Sequence, residues 1–129
     1  MGQSDDHEFT TKLWPRGGSQ ATTIPPRLLA YTQAPTGDDA EVWWFFEEAT
    51  NDVYVEFHRE DDPDPGQFVY RTSLDTRGKN SHATTVPKDI RIHFEAPVGE
   101  NAVVNWRFSL GNARVYATPT ASRERGDER

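Results

Sequence analysis

The sequence predicts an all-β fold in which each of two tandem repeats contributes several strands and one short helix. Three observations point to this class: the chain repeats itself, its large apolar residues alternate with polar ones in short runs, and Pro and Gly separate those runs at matching places. Only 34% of the 129 residues are hydrophobic, but four Trp, seven Phe and four Tyr provide large side chains for a core.

The repeat becomes visible when the chain is shifted by 62 places. Residues Ser19–Val55 then align with Ser81–Ala117 without a gap, with 14 identities in 37 positions. A shift of 61 continues the match upstream, so the second copy carries one extra residue in its Gly-containing turn. We place repeat 1 at residues 9–57 and repeat 2 at residues 69–118.

Each repeat is predicted to begin with a short strand, Phe9–Trp14 or Phe68–Leu74, followed by a turn in which Gly can take positive φ. A second strand, rich in β-branched residues, follows at Ala21–Ile24 or Ala83–Val86. The two copies therefore start with the same hairpin.

A proline ends each hairpin and can open a helix, because it lacks the N–H that a first-turn residue leaves unpaired. The predicted helices are roughly Pro26–Gln33 and Lys88–Glu95. Strict alternation then predicts a third strand in each copy, with Val42, Trp44 and Phe46 or Val104, Trp106 and Phe108 on one face. A fourth strand follows at Val53–Phe57 or Ala113–Ala117.

Neither repeat is long enough to bury a stable core alone, so the two must share one. Residues 58–68 form an acidic, Pro-rich linker that we expect to be solvated and extended. The polar tails, residues 1–8 and 119–129, are predicted to be disordered.

The chain has no Cys and no apolar stretch of membrane length, which excludes disulfides and favours a cytoplasmic protein without a membrane contact. Three Lys and eleven Arg stand against 21 acidic residues. This excess of acid with scarce Lys is typical of halophilic archaea, and the alternative is a mesophile with a GC-rich genome and an acidic linker.

Both copies carry the same ordered set of turn and strand residues. In repeat 1 these are Arg16–Pro25, a short helix and Gly37-Asp38-Asp39; in repeat 2 they are Arg77-Gly78, Ala83–Pro87 and Gly99-Glu100, with Asn101 in place of Asp39. This order resembles the AbrB/MazE/SpoVT family of DNA-binding proteins. The resemblance covers most of residues 9–118 and is weaker in repeat 2.

The resemblance implies a swapped-hairpin β-barrel, which two identical chains normally form and which this chain would form alone as a pseudo-dimer. Two such barrels could associate further into a homodimer. The resemblance also implies that basic residues of the first strand, the Gly turn and the helix start contact double-stranded DNA. In this sequence those residues are Lys12, Arg16, Arg27, Arg77, Lys79, Lys88 and Arg91.

The charge is divided unequally between the copies. Repeat 1 has three basic and seven acidic residues, net −4, whereas repeat 2 has seven basic and four acidic, net +3, in a chain of net −7. We therefore predict a DNA-binding transcriptional regulator that uses mainly the basic residues of repeat 2. The alternatives are solvated turn and helix residues without a DNA role, an antitoxin-like DNA-binding protein, and a protein-interaction module that has lost DNA binding.

Trp43 and Phe45 alternate with the core residues of their strand and should face outward, where the second copy has Asn105 and Arg107. Either this face packs against a neighbouring segment, or it is an apolar patch that binds a partner. The four His are scattered, and no catalytic, metal-binding or cofactor-binding motif is present, so we predict no enzyme, metal or cofactor.

Overall fold

The computed structural model describes residues 7–66, 70–79 and 81–122. It is a mainly β protein with two short helices, and its nine strands form one antiparallel, nearly closed, barrel-like sheet. The predicted all-β class with one short helix per repeat is confirmed.

The elements follow nearly the same order in both repeats. They are β1 (His7–Arg16), β2 (Ser19–Ile24), α1 (Pro26–Thr32), β3 (Ala40–Glu47), β4 (Asp52–Arg59), β5 (Tyr70–Ser73), β6 (Asp75–Thr76), β7 (His82–Val86), α2 (Lys88–His93), β8 (Ala102–Ser109) and β9 (Arg114–Ala121). The exception is that two strands of repeat 2, β5 and β6, correspond to the single strand β1 of repeat 1.

Two terminal segments that we predicted to be disordered lie partly in strands. β1 begins at His7, opposite Phe108, and β9 ends at Ala121, opposite Ala102. Cross-strand pairing with β8 thus orders residues that are polar in sequence. The remaining tail residues, 1–6 and 123–129, lie outside the described residues, as do Phe68, where the first strand of repeat 2 was predicted to begin, and Val69, where repeat 2 itself was placed.

The sheet nearly closes on itself. Its strand order is β5-β3-β4-β9-β8-β1-β2-β7-β6, and the two strands at the ends of that order are consecutive in the chain, separated only by Leu74. Leu74 N–H donates to the carbonyl oxygen of Ala40 at 2.9 Å, beside the β3–β5 pairing. The described strands therefore leave no long open edge for pairing with another chain.

The first strand of each repeat pairs with the third strand of the other repeat: β1 with β8, and β5 with β3. The equivalent strands β2 and β7 also pair, as do β4 and β9. Thr22 lies opposite Thr84, and Tyr54 opposite Tyr116; each pair is equivalent under the 62-residue shift. A pseudo-twofold axis thus passes through both pairs, and neither repeat completes its sheet without the other.

A buried hydrogen-bond chain links the two repeats. Trp106 Nε1 donates to Thr11 Oγ1 at 2.9 Å, that oxygen is 2.7 Å from Thr22 Oγ1, and Thr22 Oγ1 donates to the Lys12 carbonyl at 2.7 Å. The pseudo-twofold axis relates this chain to a second one. Trp44 Nε1 donates to Thr72 Oγ1 at 2.9 Å, that oxygen is 2.6 Å from Thr84 Oγ1, and Thr84 Oγ1 donates to the Ser73 carbonyl at 2.7 Å. Each chain uses an indole from one repeat and two hydroxyls from the other.

The helices cover the core between these strands. Leu28 N–H donates to the Pro25 carbonyl and Ile90 N–H to the Pro87 carbonyl, both at 3.0 Å, so each proline begins its helix as predicted. Leu28 and Ile90, equivalent in the two repeats, are fully buried in the core cluster. No helix in the described ranges is long and apolar enough to cross a membrane.

Candidate nucleic-acid interface

The outer face of β1, β2, β7 and β6 has a floor of small side chains. Leu13, Thr22 and Ile24 are buried toward the core, and the alternating positions of β2 and β7 point away from it. Those positions hold Ala21 opposite Thr85 and Thr23 opposite Ala83. Because these side chains are short, residues from the flanking strands can extend over them.

Trp14 of β1 lies over this floor between two arginines. The Arg16 guanidinium carbon is 5.7 Å from the centre of the Trp14 ring, and that of Arg77 is 4.8 Å away. A cavity of about 440 Å³ opens beside the ring, lined by Trp14, Thr23, Arg77, Gly78 and Ser81. We call this surface, comprising the outward side chains of β1, β2, β7 and β6 and the two Gly turns, the basic face.

Both turns adopt the backbone conformation that the sequence predicted. Gly17 has φ of 63° and Gly78 has φ of 72°, values that a residue with a Cβ rarely takes. Each turn therefore fixes the position, on the basic face, of the arginine that precedes its glycine. This arginine is Arg16 in repeat 1 and Arg77 in repeat 2.

The two arginines occupy equivalent positions but have different partners. Arg16 Nη2 is 3.1 Å from Asp75 Oδ2 and donates to Thr85 Oγ1 at 3.0 Å. Arg77 is exposed, and among the described residues it forms no ion pair. Asp75 occupies in repeat 2 the position that Trp14 occupies in repeat 1. Each arginine therefore contacts this position in the other repeat. Arg16 contacts the carboxylate of Asp75, and Arg77 contacts the indole of Trp14.

The basic face is locally positive although the chain is acidic. Residues 12–23 and 74–85 contain four basic residues and one acidic residue, Asp75, for a net charge of +3 in a chain of net −7. The half-exposed Arg16–Asp75 pair adds little to stability, but it occupies the guanidinium with a carboxylate. Arg77, Lys79 and Lys12 therefore carry the positive charge of this face that is not paired with a carboxylate of the described residues.

The structure brings together only some of the predicted DNA contacts. Lys12 is exposed two residues before Trp14 on the same side of β1, and Lys79 is exposed next to Gly78. Arg16 and Arg77 both contact Trp14. These four residues form one surface.

The predicted helix contacts are divided between the two ends of that surface. Ile24 lies opposite His82, so α1 and Arg27 begin beside the Gly turn of repeat 2. Gln20 lies opposite Val86, so α2, with Lys88 and Arg91, begins beside the turn of repeat 1. The basic residues of repeat 2 are thus not gathered at one end, because antiparallel pairing of β2 with β7 places each helix next to the other repeat's turn.

Trp43 and Phe45 do not form the exposed apolar patch that we considered. They face outward from β3 but are only 0% and 4% exposed. The His58 ring stacks on Trp43 with 4.0 Å between centres, the Arg71 guanidinium carbon lies 5.0 Å from the Trp43 ring, and Tyr54 stacks on Phe45 at 4.9 Å. Side chains of the adjacent strands β4 and β5 cover them, so the packing alternative is confirmed.

A second polar cluster lies around Tyr116, at the β4–β9 pairing. Glu47 accepts hydrogen bonds from Thr50 Oγ1 at 2.8 Å and Tyr116 Oη at 3.1 Å, and it pairs with Arg114 Nη1 at 2.5 Å. The Thr50 hydrogen bond is the largest cause of a lowered pKa at Glu47; burial raises the pKa, but the Tyr116 hydrogen bond and Arg114 lower it further, so the net shift is downward. The carboxylate is therefore stabilised in its charged form by the fold.

Sequence reasoning missed Trp14 and Asp75, which decide the environment of both arginines. The signal was the 61-residue alignment, in which these two positions match while carrying an indole and a carboxylate. No family model, curated protein or solved structure matches this chain. Within the described ranges, no group of three His, Asp or Glu is placed to hold a metal ion.

Proposed function

We propose that the protein binds double-stranded DNA through the basic face and acts as a transcriptional regulator of the AbrB type. In this proposal the two repeats form, within one chain, the counterpart of a swapped-hairpin dimer. The face would meet the DNA backbone with its Gly turns and the major groove with the strands between them.

The observation that carries the proposal is the environment of Arg77. Its guanidinium is exposed beside a Gly turn, lies against the Trp14 ring and has no carboxylate partner among the described residues. Stacking on an indole orients a guanidinium while leaving its N–H groups available, and a planar guanidinium suits bidentate binding of phosphate. Lys79, two residues further on, adds a second exposed cation at the same turn.

The dimensions of the basic face agree with this proposal. Strand β2 measures the distance between the two turns. The turn of repeat 1 ends at Ser19, where β2 begins, and the turn of repeat 2 lies beside Pro25, which directly follows β2 and is six residues after Ser19. At about 3.3 Å per residue the two turns are roughly 20 Å apart. A major groove about 12 Å wide fits between two phosphate-binding turns at that separation.

The exchange of first strands between repeats supports the proposed relation to swapped-hairpin proteins. β1 pairs with β8 of repeat 2 and also forms a hairpin with β2. In repeat 2 these two roles are divided, since β5 pairs with β3 of repeat 1 and β6 pairs with β7. A strand that serves both repeats therefore places the arginine before each Gly turn at the edge of the shared sheet.

A titration of labelled duplex DNA at several salt concentrations tests the proposal. We expect about four phosphate contacts, from the exposed side chains of Lys12, Arg27, Arg77 and Lys79. A plot of log Kd against the logarithm of the salt concentration should then have a slope of about 4 or less. Absence of binding to any duplex from a random-sequence pool, in dilute as well as molar salt, would contradict the proposal.

A matched pair of variants separates the basic face from the overall charge. Lys79→Gln and Arg107→Gln change the net charge equally, but Arg107 lies over the Tyr116 ring, with 4.3 Å between its guanidinium carbon and the ring centre. We expect Lys79→Gln to reduce the salt slope by about 0.9 and Arg107→Gln to leave it unchanged. Equal effects would place binding outside the basic face.

A further inference from the structure

We propose that the protein binds a non-palindromic duplex site in one fixed orientation, with the turn of repeat 2 at a defined end of the site. This inference rests on the proposed function and specifies the class of DNA site that the basic face would read. Trp14 and Asp75 are the residues to which we assign the choice of orientation.

The pseudo-twofold axis makes the inference a testable one. It passes between Thr22 and Thr84, so it relates the two halves of the basic face. A face with true twofold symmetry would present the same contacts in both orientations on DNA and would favour a palindrome. Departures from symmetry on the face therefore determine whether orientation matters.

Those departures occur at matching positions on both sides of the axis. Trp14 corresponds to Asp75, and Lys12 corresponds to the exposed Ser73. As a result Arg77 stacks on an aromatic ring while Arg16 is paired with a carboxylate. The core positions, by contrast, keep the two halves alike, as the paired Trp–Thr hydrogen-bond chains show.

The two ends of the face also differ in available charge. At the end formed by the turn of repeat 2 lie Arg77, Lys79 and, on α1, Arg27, and none of them forms an ion pair with a described residue. At the end formed by the turn of repeat 1, Arg16 is paired and Arg91 is half-buried, with a buried Nε that has no hydrogen-bond partner among the described atoms. Lys88 is the exposed cation of that end.

Rotating the protein by 180° on its site would place Arg16, whose guanidinium is already paired with Asp75, where Arg77 contacts the DNA. Loss of one charge-assisted hydrogen-bonding group corresponds to a change in affinity of about tenfold or more. We therefore expect one orientation to dominate on any site selected by the wild-type protein.

Selection of duplexes from a random pool gives the first measurement. We expect an enriched motif without dyad symmetry, bound by one chain per site. The second measurement reports orientation directly: the chain has no Cys, so Ser19→Cys labelled with an iron chelate has a single cleavage centre at the turn of repeat 1. Cleavage should occur at one end of the selected site.

A symmetrised variant provides the matched comparison. Ser73→Lys with Asp75→Trp gives the first strand of repeat 2 the outward residues of β1, at two positions outside the core, and leaves Lys79 and Arg27 unchanged. Carrying the same Ser19→Cys label, this variant should cleave the two ends of the site more evenly than the protein without the two substitutions, whereas an unchanged ratio would show that Trp14 and Asp75 do not set the orientation. If it does not fold, as judged by circular dichroism, the wild-type cleavage pattern alone decides the question.

The outcomes separate this inference from the proposed function. Binding with equal cleavage at both ends, or selection of a palindrome, would overturn the fixed orientation while leaving DNA binding in place. Absence of any duplex binding would overturn both. Binding with cleavage at one end supports both.

Discussion

One difference between the repeats gives the two arginines of the basic face different partners. Where repeat 1 has Trp14, repeat 2 has Asp75, and each residue lies against the arginine of the other repeat. An aromatic ring leaves the guanidinium of Arg77 with its full charge, whereas a carboxylate neutralises that of Arg16. The effect of each residue is therefore expressed at the turn of the opposite repeat.

The buried threonine hydroxyls provide a test at the same scale. Thr22→Val and Thr84→Val each remove a hydroxyl from a hydrogen-bond chain, leaving a carbonyl and a second hydroxyl without their partner. Each variant should lose about 1–3 kcal/mol of unfolding free energy, and the two losses should be similar. Chemical denaturation followed by Trp fluorescence measures both.

The adjacent Thr23→Val variant is the control for that test. Thr23 faces outward on the same strand and its side chain forms no hydrogen bond with a described residue, so the change in unfolding free energy should stay within about 0.5 kcal/mol. If Thr22→Val and Thr23→Val have equal effects, the hydrogen-bond chain does not stabilise the fold.

Glu47 gives a prediction for pH. Its pKa is lower in the folded protein than its ordinary value of 4.5, first because of the Thr50 hydrogen bond and then because of Tyr116 and Arg114. Its stabilising contribution is therefore fully present above pH 4.5 and is lost as the pH falls through the lower folded value. The stability difference between wild type and Glu47→Gln should shrink between pH 5 and pH 3; a constant difference would contradict this assignment.

The secondary-structure elements were predicted well where the sequence carries a local signal. The proline at the start of each helix and the glycine with positive φ in each turn act through the backbone of a few residues. The environment of Trp43 and Phe45 could not be predicted in this way. Alternation placed them on the outer side of β3, but their burial depends on which strands lie beside β3 and what those strands carry.

Helix α2 offers a test at the scale of one element. Ile90 is fully buried, while Ile92, two residues further along the same helix, is 59% exposed. Ile90→Ala should reduce the free energy of unfolding by about 2–5 kcal/mol. Ile92→Ala should reduce it by less than about 1 kcal/mol. Equal losses would mean that α2 does not cover the core with the face that the structure assigns to it.

The whole molecule depends on the exchange of first strands, which the sequence indicated only indirectly. The shortness of each repeat predicted a shared core, but the pairing of β1 with β8 and of β5 with β3 joins residues far apart in the chain. No local pattern specifies such partners. The basic face follows from the same exchange, because Arg77 and Trp14 come from different repeats.

Division of the chain within the 60–66 segment tests this interdependence. In fragments 1–63 and 64–129 the first and third strands keep their hairpin partners but lose the partner strands that the other repeat supplies. Neither should fold as a monomer, and mixing them in equal amounts should restore the β-sheet circular dichroism signal in a one-to-one complex. A folded, monomeric single fragment would show that the repeats are independent.

Duplex binding by two variants that differ in the unpaired charge of the basic face tests the proposed function most directly. Arg77→Gln removes an unpaired guanidinium, whereas the double variant Arg16→Gln with Asp75→Asn removes an ion pair and leaves the net charge unchanged. By fluorescence anisotropy, we expect Arg77→Gln to weaken binding about tenfold and the double variant to remain within about twofold of wild type. Equal affinities for the two variants, or a greater loss in the double variant, would contradict DNA binding through Arg77.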